Sequence, residues 1–253
     1  MGSVMENRRH RNIVSNIRAV AQRVIYPPVP TGRKVSIVCY GPSLLDTWHQ
    51  VDKIETIVSV SKAHDFLIDR GIIPHYHVEF DPRKHKAKHI MRATECTHYY
   101  LASCVHTDVV RKVAPWCYLW HAEQSGGDDV QTIMSIEPEA KLIPGGSSAG
   151  LRSLELFYAL GFRHFDIYGM DSSFTDGGRV QWAGPHFGES RNARDVVETI
   201  CGGKRFYTSL AFASYATQFL RCRRKLRDAT FTLHGEGLLQ TMAAEDQRLM
   251  EAA

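Results

Sequence analysis

The feature that most constrains the fold of this chain is a regular alternation of short apolar runs and longer helical patterns over residues 35–168. The apolar runs, rich in β-branched residues, predict strands at 35–39, 56–60, 76–80, 98–102, 117–120 and 165–168. The intervening patterns predict helices at 61–70, 84–92, 107–113 and 148–160. This alternation is typical of an α/β fold, with a Rossmann-like, mostly parallel sheet and helices on both faces.

The amino-terminal segment has a different pattern. Apolar residues at helical spacing, Ile13, Ile17, Val20 and Val24, predict a leader helix within about the first 25 residues. The prolines of YPPVPTG then end it, because proline does not continue a helix. We predict an N-terminal helix and linker over residues 1–32, and a nucleotide-binding domain over 33–190.

After residue 190 the pattern changes again. Helical spacing predicts helices at 191–200, 207–227 and 237–250, and therefore a helical C-terminal cap over residues 191–253.

Composition narrows the class of protein. The chain is 43% apolar and 23% charged, as ordinary globular proteins are. It contains neither an apolar window long enough for a membrane span nor a secretion signal, so we expect a cytoplasmic protein without a membrane partner. The six cysteines form no Cys-x-x-Cys pair, which indicates reduced packing thiols.

The formal charge of +4 is concentrated in two basic runs, RRHR near the amino terminus and RCRRKLR from Arg221 to Arg227. Such runs are usually solvated helix faces, but they also suit phosphate or nucleic acid.

Two glycine-containing turns open predicted helices. The first strand ends in Gly41-Pro42-Ser43, and a later helix follows the turn Gly145-Gly146-Ser147-Ser148. Both turns present backbone N–H groups and hydroxyls at a helix start, which suits a phosphate or carboxylate. For each turn taken singly, an ordinary strand-to-helix or loop-to-helix connection is an equally good interpretation.

Charged residues follow a later strand in the segment EFDPR. Asp81 could hold a ribose hydroxyl or a metal bound to phosphates, and Arg83 could contact phosphate. His85 and His89 have the spacing of a metal pair on a helix, but no other ligand motif accompanies them, so we interpret them as exposed.

A second carboxylate, Asp171, comes directly after the last predicted strand, where ligands of parallel sheets bind. His186 lies in a loop rich in glycine and proline, as a general base or as a surface histidine. The common nucleotide fingerprints, Gly-x-Gly-x-x-Gly and the P-loop, are absent, and so is the Gly-x-Ser-x-Gly of esterases.

Together, GPSL, EFDPR, GGSSAG and YGMD, in this order, resemble the archaeal 6-hydroxymethylpterin diphosphokinase-like (MptE-like) family, which is shared with the motility-associated flagellin glycosyltransferases. The segments GGKRFYTSLAFASYATQFL and LHGEGLL resemble the C-terminal pattern of the same family, so the likeness spans about residues 33–240. A more distant likeness is to bacterial sialyltransferases that use CMP-sialic acid, although their loop has Asn where this chain has Tyr40.

The resemblance implies a transferase that uses ATP and Mg²⁺ to pass a diphosphoryl group to a hydroxymethyl acceptor such as a reduced pterin. The residues it assigns to the nucleotide are Gly41, Pro42, Ser43, Gly145, Gly146, Ser147 and Ser148. It assigns the metal to Asp81 and Asp171, and catalysis to Arg83, Asp171 and His186.

Two alternatives stay open. A nucleotide-activated sugar could be the donor, with His186 deprotonating the hydroxyl of a small-molecule acceptor. The chain could instead be a non-enzymatic binder of nucleic acid or phosphate through the run from Arg221 to Arg227. A homo-oligomer is compatible with either.

Overall fold

A computed structural model describes residues 4–123, 128–175, 177, 180–184 and 195–252. Its strands are β1 (Lys34–Val38), β2 (Thr56–Val60), β3 (Tyr76–Glu79), β4 (His98–Ala102), β5 (Cys117–Ala122), β6 (Leu142–Ile143), β7 (His164–Tyr168), β8 (Val197–Cys201), β9 (Lys204–Thr208) and β10 (Thr230–Leu233). Eight of them form one sheet in the order β10-β7-β1-β2-β3-β4-β5-β6, and every pairing in it is parallel.

The helices are α1 (Val4–Ala19), α2 (Leu44–Thr47), α3 (Ala63–Ile68), α4 (Thr107–Val113), α5 (Asp128–Ile136), α6 (Ala149–Ala159), α7 (Leu210–Lys225) and α8 (Leu238–Glu251). They cover both faces of the sheet. Ile37 of β1 packs into a large core with Phe157 of α6, whereas its neighbour Val38 packs into a smaller core with Phe66 of α3. Because successive strand residues point to opposite faces, the sheet separates two cores. The predicted α/β fold class is confirmed.

All six strands predicted from the apolar runs are present, with bounds that differ by at most two residues. The predicted helix over 84–92 is instead a 3-10 helix over Lys84–His89. Lys86 and His89 are both buried there, and residues three apart share one face of a 3-10 helix. The interpretation of His89 as exposed was therefore wrong, because this side chain turns inward.

The predicted helix over 191–200 is also wrong in its described part. Residues 191–194 lie outside the described residues, and Val197–Cys201 is a strand, β8, that pairs antiparallel with β9. Gly202 and Gly203 join the two strands with φ values of 54° and 73°. A two-residue hairpin turn requires this left-handed backbone, which glycine adopts at little cost.

Both ends of the chain pack onto the central sheet. The leader helix prediction is confirmed as α1, which contacts α4 and α5 and buries Ile13 and Ile17. The C-terminal segment contributes α7 and α8 together with β10, which pairs with β7 at one edge of the sheet. The predicted boundaries near residues 32 and 190 stay predictions. In the part of the chain described here, no helix is both long and apolar enough to cross a membrane.

Candidate functional site

The strand order places a crevice beside β1. The chain runs outward from β1 through β2 to β6 and then returns to β7 on the other side of β1. In parallel sheets, ligands bind outside the carboxyl ends of the strands at such a reversal. The loops that leave β1 and β7 meet there, because the Gly41 N–H donates to the carbonyl oxygen of Gly169 at 2.8 Å.

Gly41 has no room for a side chain. A Cβ at this position would lie 2.5 Å from the carbonyl oxygen of Gly169 and even closer to a carboxylate oxygen of Asp171. Backbone atoms cannot move aside as a flexible side chain can. Glycine is therefore required because the two loops touch, whether or not a ligand is present.

Asp171 fixes the loop after β1. Its Oδ2 accepts the backbone N–H of Ser43 at 2.9 Å, and its Oδ1 accepts the Ser43 hydroxyl. The Oδ1 also lies 3.4 Å from the side-chain amide of Gln240 in α8. Burial raises the pKa of the Asp171 carboxyl, although the hydrogen bonds from Ser43 act in the opposite direction. Ser43 and Asp171, both predicted from sequence to face a ligand, thus face each other.

A cavity of about 810 Å³ opens at this end of the sheet. The described residues on its wall belong to the loops after β1, β2, β3, β4 and β7, to the start of α6 and to the first turn and a half of α7. Arg9 of α1, Lys86 and the pair Gln181 and Trp182 complete the described lining. Predicted site residues on its wall are Gly41, Pro42, Asp81, Arg83, Ser147, Ser148 and Asp171. Ser43, Gly145 and Gly146 are not on the wall, and His186 lies outside the described residues.

The charged part of the cavity wall centres on Asp81. Its carboxylate accepts the Nε–H of Arg83 at 2.9 Å and lies 3.5 Å from the Lys86 ammonium. Burial would raise the pKa of Asp81, but the hydrogen bonds from Arg83 and the charge of Lys86 outweigh it and lower the pKa to about 2. Asp81 is therefore ionised at neutral pH and compensates two cations.

Behind this group lies a buried polar network. Lys86 donates to the Ser61 hydroxyl at 3.1 Å, and Ser61 donates to Glu79 Oε2 at 3.0 Å. Glu79 Oε1 accepts the backbone N–H groups of Phe80 and Asp81. Ser61 has a φ of 55°, which is unusual for a residue with a side chain; residues with such strained backbone cluster at functional sites. Sequence reasoning missed this network because Ser61, Glu79 and Lys86 come from the loop after β2, the end of β3 and the 3-10 helix, and only the fold brings them together.

The glycine-serine turn before α6 both caps that helix and lines the cavity. Ser148 caps α6, its hydroxyl oxygen accepting the Leu151 N–H at 3.3 Å, and Ser147 bonds to Gln218 of α7 through its N–H at 2.8 Å. A Cβ on Gly150 would lie 2.8 Å from the sulfur of Cys39, so the small residue lets α6 approach β1 closely. Both serines still line the cavity.

Three aromatic side chains, those of Trp182, Phe212 and Tyr215, form an aromatic wall of the same cavity. The ring of Phe212 is 6.4 Å from Trp182 and 6.0 Å from Tyr215, centroid to centroid. Burial raises the pKa of Tyr215, and the charges of Arg83 and Asp81 also influence it. The aromatic wall therefore borders the charged part of the cavity, an arrangement that suits a ligand with a flat ring and an anionic tail.

The carboxylates on the wall differ in their fit to a magnesium ion. Asp81 lies beside two cations suited to phosphate, and Mg²⁺ is usually held by one or two carboxylates together with substrate phosphates. Both oxygens of Asp171 already accept hydrogen bonds from Ser43. The described residues contain no group of three or more His, Cys, Asp or Glu side chains arranged to hold a metal. Both oxygens of Asp81 also accept hydrogen bonds, from Arg83, so what favours Asp81 over Asp171 as a magnesium ligand is its place beside cations that attract phosphate.

Comparison with known proteins identifies the family. The model of the family described as "6-hydroxymethylpterin diphosphokinase MptE-like" matches residues 9–177, about two thirds of the chain. The chain belongs to the MptE-like family. The resemblance inferred from GPSL, EFDPR, GGSSAG and YGMD is thus confirmed, and family membership supports a nucleotide-related transferase. No curated protein sequence matches the chain.

One solved structure extends the fold likeness beyond residue 177. The MAf glycosyltransferase from Magnetospirillum magneticum AMB-1 is 15% identical, with a TM-score of 0.71 over 93% of this chain. The chain spans only 38% of that protein. Thiamine pyrophosphokinase from Bacillus subtilis is 17% identical over 80% of this chain and 60% of its own, with a TM-score of 0.31, too low for a common fold. The glycosyltransferase, at this identity, shares the fold alone.

Proposed function

We propose that this chain is a nucleotide-dependent transferase of the diphosphokinase type. The oxygen of a hydroxymethyl acceptor, such as a reduced pterin, would bond to the β-phosphorus of ATP, and AMP would leave. One observation supports this most directly: the Gly41 loop, the Ser147–Ser148 turn and the group Asp81, Arg83 and Lys86 line a single cavity at the reversal of strand order. Family membership supports the same reaction class.

The two sides of the cavity suggest how the ligand lies. A nucleobase or pterin ring would stack against Phe212 and Tyr215, and the phosphates would reach Arg83 and Lys86. Phosphoryl transfer depends mainly on positioning and on neutralising charge, which fixed cations provide.

Asp81 would change partners when phosphate binds. Phosphate oxygens are good bidentate partners for a guanidinium, so they can replace the Asp81 carboxylate at Arg83. The released carboxylate would then hold Mg²⁺, which when bound supplies further neutralisation of the phosphate charge. Asp171, with Ser43, would keep the loop after β1 in place.

A second candidate is transfer of a nucleotide-activated sugar. The observation in its favour is the fold shared with a glycosyltransferase over 93% of this chain, including the segment that the family model does not match. Trp182, on the cavity wall, is four residues before His186, the predicted base for this reaction.

Binding of nucleic acid through the run from Arg221 to Arg227 has less support. Arg223 and Arg224 both pair with Asp246, and Lys225 pairs with Glu155 at 3.1 Å. Two carboxylates of the protein itself thus compensate part of the charge of these five cations, which weakens the attraction of the run for phosphate.

The proposal is tested by thermal denaturation with ATP, GTP, CTP, CMP and UDP, each with and without Mg²⁺. We expect ATP or GTP to raise the melting temperature only with Mg²⁺; a hundredfold excess over Kd adds about 2.7 kcal/mol of stability. Formation of AMP with a hydroxymethylpterin acceptor, lost in EDTA, is the matching activity. Stabilisation by CMP or CTP without metal favours the sugar transferase, and no shift with any nucleotide contradicts both.

Lys86 offers a matched pair of variants. Lys86→Met removes a buried ammonium from the cavity wall, whereas Lys88→Met removes an exposed one from the same 3-10 helix. We expect the first change to abolish most of the nucleotide-dependent shift and the second to leave it unchanged. Equal shifts in both variants would place the phosphates elsewhere.

A further inference from the structure

Among the described side chains of helix α1, that of Arg9 reaches the candidate site. The helix precedes the α/β alternation, yet Arg9 lies on the cavity wall together with the loops after β3 and β7. This helix is therefore positioned to contribute a charge to the ligand.

Two buried asparagines, Asn12 and Asn16, fix the position of α1 relative to the cavity. The Asn12 amide donates to the carbonyl oxygens of Pro82 at 3.3 Å and Cys104 at 3.0 Å, and both of these residues line the cavity. The Asn16 amide donates to the carbonyl oxygens of Ser103 at 2.9 Å and Val105 at 2.8 Å. Because these hydrogen bonds are buried, sliding or rotating the helix would leave several carbonyl groups unsatisfied.

Arg9 is itself oriented. It forms an ion pair with Asp129 of α5, whose side chain is buried. Its positive charge also acts on a residue of the cavity wall, Cys104. Burial raises the pKa of the Cys104 thiol to about 12, and the charge of Arg9 opposes that rise. An arginine held by a carboxylate on one side has donors in a fixed direction and loses little entropy on binding an anion.

Arg9 also differs from the other cations on the wall. Arg83 and Lys86 share Asp81 as their acidic partner, whereas Arg9 pairs with a carboxylate on a different helix. The cavity thus has two separately held points of positive charge, one at the end of β3 and one on α1.

We propose that Arg9 forms a second anion subsite, which binds an oxyanion at the far end of the ligand. This inference rests on the proposed function and deepens it. The oxyanion is the terminal phosphate of a nucleoside triphosphate or, if the donor is a sugar nucleotide, the carboxylate of an acidic sugar. Asn12 and Asn16 are positioning residues, because they act on the ligand only through the placement of Arg9.

Isothermal titration calorimetry of the full chain tests the subsite. The variants are Arg9→Gln, Arg9→Lys and, as a control with the same change in charge, Arg11→Gln at an exposed position of the same helix. The probes are ATP and AMP with Mg²⁺, and CMP-sialic acid and CMP. A melting curve without ligand shows whether each variant is folded. If Arg9→Gln is not folded, Arg9→Lys provides the test instead, because lysine keeps the positive charge that pairs with Asp129.

We expect Arg9→Gln to weaken the larger ligand roughly tenfold to a hundredfold, as the loss of a charged hydrogen bond does, and Arg11→Gln to leave it unchanged. Arg9→Lys should give an intermediate value, because it loses the guanidinium fork. A loss for ATP but not AMP identifies a phosphate, and a loss for CMP-sialic acid but not CMP identifies a carboxylate.

Two outcomes overturn the inference alone: wild-type affinity for the larger ligand in Arg9→Gln, or an equal loss in Arg11→Gln, which would indicate a general effect of charge. If the wild-type chain binds none of the four probes, the proposed function fails as well. The failure of the subsite and the failure of the proposed function are thus distinguishable.

Discussion

His77 is a fully buried ionisable residue just behind the candidate site. Its Nδ1 lies 3.0 Å from the Ser59 hydroxyl, and its ring packs against the rings of His64 and Tyr99. Burial lowers the pKa of His77 well below 6.5, and the nearby charges of His64, His89 and Lys86 lower it further. The folded protein therefore holds this histidine neutral.

We predict that His77 makes the protein sensitive to mild acid. Its pKa in the folded state is depressed, so its contribution to stability is fully present above the unfolded value near 6.5 and is lost as the pH falls below it. Replacing His77 with Gln should reduce the slope of the free energy of unfolding against pH below 6.5 by up to about 1.4 kcal/mol per pH unit. Urea denaturation from pH 8 to pH 5 measures this slope.

His98 provides the control for that experiment, because it is an exposed histidine on the neighbouring strand β4. His98→Gln should leave the slope as it is in the wild-type chain. If His77→Gln and the wild type lose stability equally between pH 6.5 and pH 5, another group is responsible for the acid sensitivity.

Single residues also show what could be predicted of the site. Gly41, Asp81 and Arg83 were predicted because they follow apolar runs, and the serine turn because it opens a helix; all of them lie on the cavity wall. Arg9 was noted only as part of the basic run RRHR, and Tyr215 was missed, because their place on the wall depends on how α1 and α7 pack against a sheet far away in sequence. Asp171 was found, but its bonds to Ser43, 128 residues away, could not be foreseen.

At the scale of elements, α1 depends on its two buried asparagines for docking. We predict that Asn16→Ala costs about 1–3 kcal/mol of folding stability, because it leaves the carbonyl groups of Ser103 and Val105 without their donor in a buried place. Ser15→Ala, one residue earlier and exposed, should change stability by less than about 0.5 kcal/mol. Urea denaturation measures both values, and equal effects would show that the asparagine is not a docking residue.

The elements that the sequence did not predict have identifiable causes. The hairpin of β8 and β9 carries a Gly-Gly turn between β-branched and aromatic residues, a signal for a hairpin that helical spacing obscured. Strand β6 has only two residues, Leu142–Ile143. Two residues are too few to show the alternation of apolar and polar residues from which a strand is predicted. The edge strand β10 is likewise short, and its pairing with β7 is a tertiary contact.

At the scale of the whole molecule, the candidate site joins the first and last parts of the chain. A Cβ on Gly237 would lie 2.6 Å from the carbonyl oxygen of Asp171, and the Leu239 N–H donates to that same oxygen at 3.0 Å. The start of α8 thus buttresses Asp171, which in turn holds the loop after β1. The region matched by the family model, residues 9–177, does not contain this support.

We therefore predict that a chain ending at residue 177 does not fold cooperatively, although it keeps the whole matched region. It would lack Phe219 of α7 and Leu239 and Ala243 of α8, which are buried in the same core as β1 and β7. Circular dichroism during heating should show a single sharp transition for the full chain and a broad one for the truncated chain. A sharp transition of the truncated chain near the full-length melting temperature would contradict the prediction.

Two full-length variants show whether the truncated chain fails because it lacks buried core side chains or because it is shorter. Phe219→Ala removes one fully buried ring and should cost about 3–5 kcal/mol, whereas Leu249→Ala, at a side chain that is 72% exposed, should cost less than about 0.5 kcal/mol. If Phe219→Ala also weakens nucleotide binding at a temperature where it is folded, then the packing of α7 sets the position of the aromatic wall. Unchanged binding would mean that Phe212 and Tyr215 keep their places without the Phe219 ring in the core.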